Sequence, residues 1–549
     1  MVAGAAVLPP GGEPGGRSAV VPGRAAAVLV RATGAAILLV ALIASVHPHM
    51  GLLGFRGWLV APAMVLVVGA ALLVRTSRGR SLPGRRATAA VAIGGAVLST
   101  LVAAHLFYGF SWDARSLWNF ARITAQGDEL PPHAYDYLSL YPNTIAMVGI
   151  DRGYLAVAEV LGLRPGAVVV LANGVALGTT LYAVGSLVRR GAGTRAALLA
   201  QLLVLALVGL SPWMSVPYTD IPAMPFVAGG VALAARALEP ARAGDRPWLR
   251  ATLWCLAALA IAVAYVVKST PAVVLVAVVL MLGVVVARPA SPTRAARGMV
   301  HRAARGALAG VVLLVVFVVG AATVSAAAAS VAGVDTSRID RGVTPPLGWW
   351  LANGMNEQPN QRGGTSYGTY DRSMVEAIKG RSQDEARAYA QGFIDERWRE
   401  RGPLGTAGFY AAKTVWNWGD GMFWAWGEGG DLHVEEPAHD GPLPDLAWSL
   451  SNPHGAAYPL RADLTQAVWL AVLVLVGLGA LVARPRRNLL LLLLILLGAA
   501  AFTLLFQGRS RYVLVFAPAA VAAASLTLAE TRQWAQHHVN RLKGSWTDH

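Results

Sequence analysis

The stretch Leu489-Leu490-Leu491-Leu492-Leu493-Leu494-Ile495-Leu496-Leu497-Gly498-Ala499-Ala500-Ala501-Phe502-Thr503-Leu504-Leu505-Phe506 carries no charge, and Gln507-Gly508-Arg509-Ser510-Arg511-Tyr512 follows it at once. A helix needs about 20 largely apolar residues to cross a hydrocarbon core of about 30 Å, so the run reads as a membrane span. The same pattern, bounded by charge or by Pro and Gly, recurs along the chain. The ranges are Ala26 to Val46, Trp58 to Val74, Thr88 to Phe107, Gly166 to Val188, Ala196 to Leu210, Ile221 to Leu238, Ala251 to Val267, Thr270 to Ala287, Ala307 to Val331, Leu464 to Ala483, Leu489 to Phe506 and Tyr512 to Ala529. The sequence therefore predicts an all-α polytopic membrane protein with about 12 transmembrane helices.

Composition agrees. Of 549 residues, 55% are hydrophobic and 14% are charged, where a soluble globular chain carries about 25% charged residues. The single cysteine, Cys255, rules out an intrachain disulfide framework or a cysteine-built zinc site. The net charge of +16 is uneven. Residues 332 to 463 hold 18 acidic and 12 basic residues and form an acidic block inside a basic protein.

Basic residues are retained on the cytoplasmic side of a membrane, so short loops report orientation. Arg75, Arg78, Arg80, Arg85 and Arg86 share one loop; Arg189, Arg190 and Arg195 share another. Arg242, Arg246 and Arg250, then Arg288, Arg294, Arg297, Arg302 and Arg305, then Arg484, Arg486 and Arg487 complete the set. All five loops fall on one side of a twelve-span arrangement. Both termini are then cytoplasmic, in a plasma membrane if the host is bacterial. Loop 110 to 165, the turn at Asp220, the block 332 to 463 and the turn Gln507 to Arg511 are then extracytoplasmic. The expected organisation is a cytoplasmic tail (1–25), a transmembrane hairpin (26–87), a catalytic transmembrane module (88–331), an extracytoplasmic domain (332–463), a three-span module (464–529) and a cytoplasmic tail (530–549). The first tail reads as disordered, and the span after it is too long for a removed signal peptide.

Polar chemistry gathers at the outer ends of these spans. Cytoplasmic loops hold only Glu239 and Asp245 as acidic residues, which excludes a nucleotide-binding loop or an acid/base pair there. An outer-face enzyme has no ATP or nucleotide sugar, so its donor must arrive on a lipid. Asp113, in Ser111-Trp112-Asp113-Ala114-Arg115, sits at the membrane boundary, either as a base for an acceptor hydroxyl or as a helix-terminal partner of Arg115. Tyr135-Asp136-Tyr137 and Tyr141-Pro142-Asn143-Thr144 suit a sugar's hydroxyl edges and apolar face, or anchor an interfacial helix. Asp220, in Tyr218-Thr219-Asp220, is an N-cap or a site residue. Lys268 snorkels or binds a lipid phosphate. Arg509 and Arg511 lie where positive charge is normally avoided; guanidinium groups bind phosphate bidentately, or the two pair with the acidic block.

The acidic block carries Trp349-Trp350, Asn353 to Glu357, Tyr367 to Asp371, a charged helix from Ser382 to Arg401, then Lys413 and Trp416-Asn417-Trp418-Gly419-Asp420-Gly421-Met422-Phe423-Trp424-Ala425-Trp426. Most of these tryptophans read as interfacial anchors. His47, His49, His433, His439 and His454 lack the i, i+4 spacing of a zinc motif; a divalent metal between Asp113 and Asp220 remains open. Dispersed basic residues disfavour nucleic acid.

The order and sidedness of Trp112-Asp113, Tyr218-Thr219-Asp220 and Arg509-Ser510-Arg511-Tyr512 resemble the glycosyltransferase C superfamily, polytopic enzymes that use polyprenyl-phosphate sugars. Asn353-Gly354-Met355-Asn356-Glu357, Gly368-Thr369-Tyr370-Asp371 and Lys413 to Gly421 are similar to bacterial membrane proteins of the protein-mannosyltransferase-like and teichoic-acid-glycosylating kind. The resemblance runs from about residue 88 to 529. It implies that Asp113 is the general base, that Lys268, Arg509 and Arg511 bind the donor phosphate, and that Tyr141, Asn143, Tyr218, Asp220, Asn356 and Asp371 line the sugar or acceptor pocket. The implied partners are a polyprenyl-phosphate sugar donor, a cell-envelope acceptor and the lipid bilayer. Two departures stand out: the catalytic loop follows the third span where the family places it after the first, and Asp113 stands alone where many members carry an acidic pair. A lipid-linked-glycan flippase and a glycan ligase or polymerase are the alternatives, as is a scaffold subunit without catalysis.

Overall fold

In an apolar medium a peptide segment satisfies its own amides only as a helix. The computed structural model describes residues 24–46, 58–76, 84–105, 112–239, 246–286, 299–359, 364–425, 441–452, 454–482 and 486–529, and each of the twelve apolar ranges overlaps helix. In chain order the helices are α1 (Arg24–Val46), α2 (Val60–Thr76), α3 (Gly84–His105), α4 (Trp112–Ala125), α5 (Pro132–Leu140), α6 (Ile145–Leu161) and α7 (Pro165–Ala192). Then come α8 (Thr194–Val204), α9 (Asp220–Ala237), α10 (Pro247–Val267), α11 (Ala272–Val286), α12 (Met299–Ala332), α13 (Leu347–Asn353) and α14 (Arg372–Ile378). The last six are α15 (Gln383–Trp418), α16 (Pro442–Ser451), α17 (Tyr458–Val482), α18 (Arg487–Leu505), α19 (Arg511–Leu514) and α20 (Ala517–Ala529). Among the described residues six helices, α3, α7, α10, α12, α17 and α18, are long and apolar enough to cross a membrane. Shorter apolar helices lie at Val30–Val46, Val60–Leu72, Thr194–Gly209, Ala272–Gly283 and Ala517–Ala529. The tail before Arg24, the loop with His47 and His49, Trp426, His433, His439, Asp245 and the tail after Ala529 lie outside the described residues, as do several loop arginines, Arg78, Arg80 and Arg484 among them.

The predicted N-terminal hairpin does not stand apart. Both α1 and α2 pack on α17, so the start of the chain is docked on its C-terminal module. Two glycines permit the α1–α17 crossing. A Cβ on Gly34 would lie 2.6 Å from Cβ of Ala480, and one on Gly477 would lie 2.9 Å from the carbonyl of Gly34. Small residues of this kind let apolar helices approach backbone to backbone, where dispersion rather than water exclusion holds them together. The rest of the bundle is a chain of neighbours: α3 on α7, α7 on α9, α9 on α10, α10 on α12, and α12 on α6.

The acidic block begins where α12 ends at Ala332, while α17 starts at Tyr458, six residues before the predicted boundary at 464. It has a small core of its own in Trp349, Ala352, Met374, Ile378, Ala386 and Ala390. Its strands β1 (Glu357–Pro359) and β2 (Thr365–Tyr367) pair antiparallel with Gln358 opposite Ser366. The predicted charged helix is the first half of α15. Ser382 caps it in a reciprocal capping box with Glu385, and Gly402 at φ 60° followed by Pro403 breaks it, because the left-handed region suits glycine and a proline cannot complete the preceding turn. Beyond that kink α15 resumes to Trp418 and turns inward, burying Phe409, Lys413, Trp416 and Trp418. Trp416 and Trp418 are therefore core residues rather than interfacial anchors; the Trp418 indole donates to Oγ1 of Thr503 at 3.0 Å and stacks on Trp469.

Gly477→Leu should separate α1 from α17. A loss of about 1–3 kcal/mol is expected from overpacking, read as a lower thermal midpoint of the detergent-solubilised protein, whereas Gly94→Leu, at a position open on all sides, should leave that midpoint within a degree or two.

Candidate active site

Four separated parts of the chain meet at one end of the bundle. Asp113 lies in the first turn of α4, where a carboxylate favours the positive end of the helix dipole. It is half-buried. Its Oδ1 accepts from the Tyr137 hydroxyl of α5 at 3.0 Å, and its Oδ2 accepts from the Tyr218 hydroxyl at 3.1 Å. Burial first, and then the neighbouring Asp113, push the Tyr137 phenol well above its ordinary 10, so it stays a donor. A carboxylate has about four lone-pair sites, and two phenols leave the other two for a substrate hydroxyl. Arg115 makes no ion pair with Asp113.

Tyr218 belongs to the loop between α8 and α9. Nδ2 of Asn173 on α7 donates to the Met214 carbonyl at 3.0 Å, and the Trp213 indole donates to the Phe423 carbonyl at 3.1 Å, so the loop is tied to the bundle on one side and to the acidic block on the other. Over the Tyr218 ring lies the Arg511 guanidinium, 4.7 Å from the centroid; it also lies 5.4 Å from that of Tyr512. Lys268, at the end of α10, sits 4.9 Å from the Tyr512 centroid and forms a buried ion pair with Asp220 at 2.7 Å. The lysine therefore neither snorkels nor stands alone. Asp220, in the first turn of α9, makes no side-chain cap bond and serves as its counter-ion.

Arg509 is held differently. Its guanidinium lies 4.8 Å from the Trp424 centroid and 6.0 Å from that of Trp112. It makes no ion pair with a described residue, and its Nε is buried without a hydrogen-bond partner. Trp112 (φ 54°) and Trp424 (φ 59°) are, with Phe423, the described non-glycine residues at positive φ. Such a conformation costs about 1–2 kcal/mol per residue and persists where surrounding structure imposes it. Here the strained pair flanks one arginine.

Asp420 imposes one half of that geometry. Its carboxylate accepts from the backbone amides of Met422 at 2.8 Å and Trp424 at 3.0 Å, and from the hydroxyl of Ser510 between the two arginines. Lys413 imposes another. Fully buried, its ammonium donates to the carbonyls of Gly354 (2.6 Å), Leu504 (2.8 Å) and Phe506 (2.8 Å), the last two at the end of α18. Gln507 and Gly508 donate their amides to the carbonyls of Trp350 and Gly368.

Of the residues expected at the site, Asp113, Tyr218, Asp220, Lys268, Arg509 and Arg511 are brought together. Tyr141 joins through the Tyr137 ring, 5.1 Å away, and also faces Trp350 at 6.1 Å. Three are engaged otherwise. Asn143 is exposed on the turn after Tyr141. The Asn356 amide donates to Oδ1 of Asn353 and to the Thr369 carbonyl, both at 2.7 Å, which fixes the base of the hairpin. Asp371 caps α14 by accepting from the amide and hydroxyl of Ser373. Tyr137, Asp420, Lys413 and Tyr512 were not singled out from sequence, although all four stand in the motifs quoted there; their roles depend on partners distant in the chain. Of the two carboxylates considered as a metal pair, Asp113 accepts from two phenols and Asp220 pairs with the Lys268 ammonium. Among the described residues no cluster of three His, Cys, Asp or Glu could hold an ion.

A bundle of apolar helices, six of them among the described residues long enough to cross a membrane, is the architecture of a multi-pass integral membrane protein. The chain belongs to the family described as conserved hypothetical integral membrane protein, whose profile matches residues 166–532. That match includes Tyr218, Asp220, Lys268, Arg509 and Arg511 and stops short of Asp113. No curated protein matches the chain. Among solved structures it is similar to ArnT from Cupriavidus metallidurans bound to undecaprenyl phosphate, at 17% identity over 80% of this chain and 77% of that one, with a TM-score of 0.31.

Removing one member of a buried ion pair strands the other, at a cost of about 3–5 kcal/mol. Lys268→Met should therefore lower the thermal midpoint sharply, and Lys268→Met with Asp220→Leu should recover most of the loss. Additive effects in that cycle would show that the two side chains are not coupled.

Proposed function

We propose that this protein is a membrane glycosyltransferase that moves a sugar from a polyprenyl-phosphate donor to an acceptor on the extracytoplasmic face by a single inverting displacement. The observation that carries this reading is Arg509. A guanidinium held between two strained tryptophans, without a carboxylate ion-pair partner among the described residues and with an unpaired buried Nε, calls for an anion, since a buried charge is costly unless paired. It stands one serine away from Arg511, whose cation rests on the phenol that donates to Asp113. A base and an anion clamp thus share one tyrosine.

In the reaction, a free lone pair of Asp113 takes the proton of the acceptor hydroxyl as that oxygen bonds to the anomeric carbon. The bond from that carbon to the phosphate oxygen breaks, and polyprenyl phosphate leaves with the bonding electrons. Tyr137 and Tyr218 orient the carboxylate. Arg509 and Arg511 bind the phosphate and stabilise the charge that grows on it, while the Lys268–Asp220 pair holds Tyr512 and Arg511 in place. Donor chemistry of this kind explains an outer-face site with no nucleotide-binding loop. The acceptor is a cell-wall polymer, a glycolipid or a protein.

The test is sugar transfer in membranes carrying the protein, supplied with radiolabelled polyprenyl-phosphate hexoses and pentoses. Asp113→Asn should cut kcat by about a hundredfold to ten-thousandfold, the usual weight of a general base, with an unchanged thermal midpoint; full transfer by that variant sinks the assignment. Arg509→Gln should raise the donor KM and lower kcat, and raising donor concentration should restore only part of the rate. An acceptor KM that rises while the donor KM stays fixed would move Arg509 out of the phosphate site.

A further inference from the structure

Beside the reacting carboxylate runs a groove that none of the roles above uses. Along α4 the residues Ser116, Asn119 and Ile123 follow Asp113 at steps of three and four, which places them in one stripe down one face of the helix, and Gln126 follows in the turn after it. The facing wall is α5, with His133 and Tyr137 one turn apart. Phe120 forms the floor, its ring 6.4 Å from that of His133 and 5.8 Å from that of Tyr137. The groove has a volume of about 530 Å³, within the range of about 300–1,000 Å³ that binding clefts occupy. Tyr137, one of its lining residues, donates its hydroxyl to Asp113.

We propose that this groove is the acceptor site and that it takes a carbohydrate chain, presenting one hydroxyl to Asp113 beside Tyr137. The inference rests on the glycosyltransferase reading for what happens at Asp113, and on the lining for what lies in the groove. Asn119, Arg122, Gln126 and His133 line the groove, and none makes a side-chain hydrogen bond or ion pair with another described residue. Their amides, guanidinium and imidazole offer both donors and acceptors, matched to hydroxyls that do both. Phe120 and Tyr137 supply the flat apolar surface on which a sugar ring packs. A lipid tail would leave that polar rim unpaired. No carboxylate is among the lining residues, so neutral and acidic sugars are both accommodated.

The experiment titrates the full chain in detergent with three probes, a β-1,4-linked glucose tetrasaccharide, an α-1,6-linked mannose tetrasaccharide and a galacturonic acid tetrasaccharide, followed by calorimetry. At least one should bind. Asn119→Leu with Gln126→Leu should weaken that binding by about tenfold or more, as expected for two lost hydrogen bonds, at an unchanged thermal midpoint, whereas Arg372→Ala, in the exposed first turn of α14, should not. Phe120→Ala keeps the test open if the double variant misfolds, and should weaken binding likewise. No binding of any probe by the folded natural chain, or equal binding by the groove variants, overturns the proposal. Donor turnover is followed separately on the natural chain: groove-dependent binding without turnover refutes the transferase reading and leaves the groove as a carbohydrate site.

Discussion

The arrangement of this site depends on three hydrogen bonds made by one buried lysine. The end of α18 leaves carbonyls that the helix cannot satisfy and that have no water at an apolar bundle's edge. Lys413 answers two of them, at Leu504 and Phe506, and gives its third proton to Gly354 in the acidic block. A cation at a helix C-terminus also suits the helix dipole. Space allows little else: a Cβ on Gly368 would lie 2.5 Å from Cε of Lys413, and one on Gly354 would strike the Leu505 carbonyl. One ammonium thus clamps the block to the last long span at the residue before Gln507, and the turn bearing Arg509 and Arg511 starts from that fixed point.

From there the positive charges are managed by three different means. Lys268 has a carboxylate partner, Arg511 rests on two tyrosine rings, and Arg509 is sandwiched by tryptophans in a conformation that tryptophan rarely adopts. Cation–π contact is worth more where water is excluded, so each ring both holds a cation and shields it. The rings come from different places: Trp112 precedes Asp113, Trp424 hangs from the turn that Asp420 organises, and Tyr218 bridges Asp113 to Arg511. A shift in any one of these elements moves both halves of the site together.

The spans were legible because a run such as Leu489 to Phe506 has one way to bury its amides, and that argument needs no partner. The placing of Asp113, Asp220, Lys268, Arg509 and Arg511 at the ends of apolar stretches was legible for a related reason, since a charge inside such a stretch is expensive. Pairing was not. Whether Lys268 met a lipid phosphate or Asp220 depended on how α9 and α10 lie side by side, and those residues are 48 positions apart in the chain. Asn356 and Asp371 carried polar motifs that suggested a pocket; in the structure the Asn356 amide donates to Asn353 and Thr369, and Asp371 accepts from Ser373.

Alone, then, the sequence determined that this is a helical membrane protein whose charged residues lie at the ends of its apolar segments, because hydropathy and the cost of charge act locally on each segment. Tertiary structure decided which side chains face one another. It put Tyr137 and Tyr218 on the two oxygens of Asp113, used Lys413 as a clamp, tied α1 and α2 to α17, and drew Trp416 and Trp418 into the core. Those outcomes follow from close packing and from hydrogen bonds between distant residues, and no local window of sequence contains both partners.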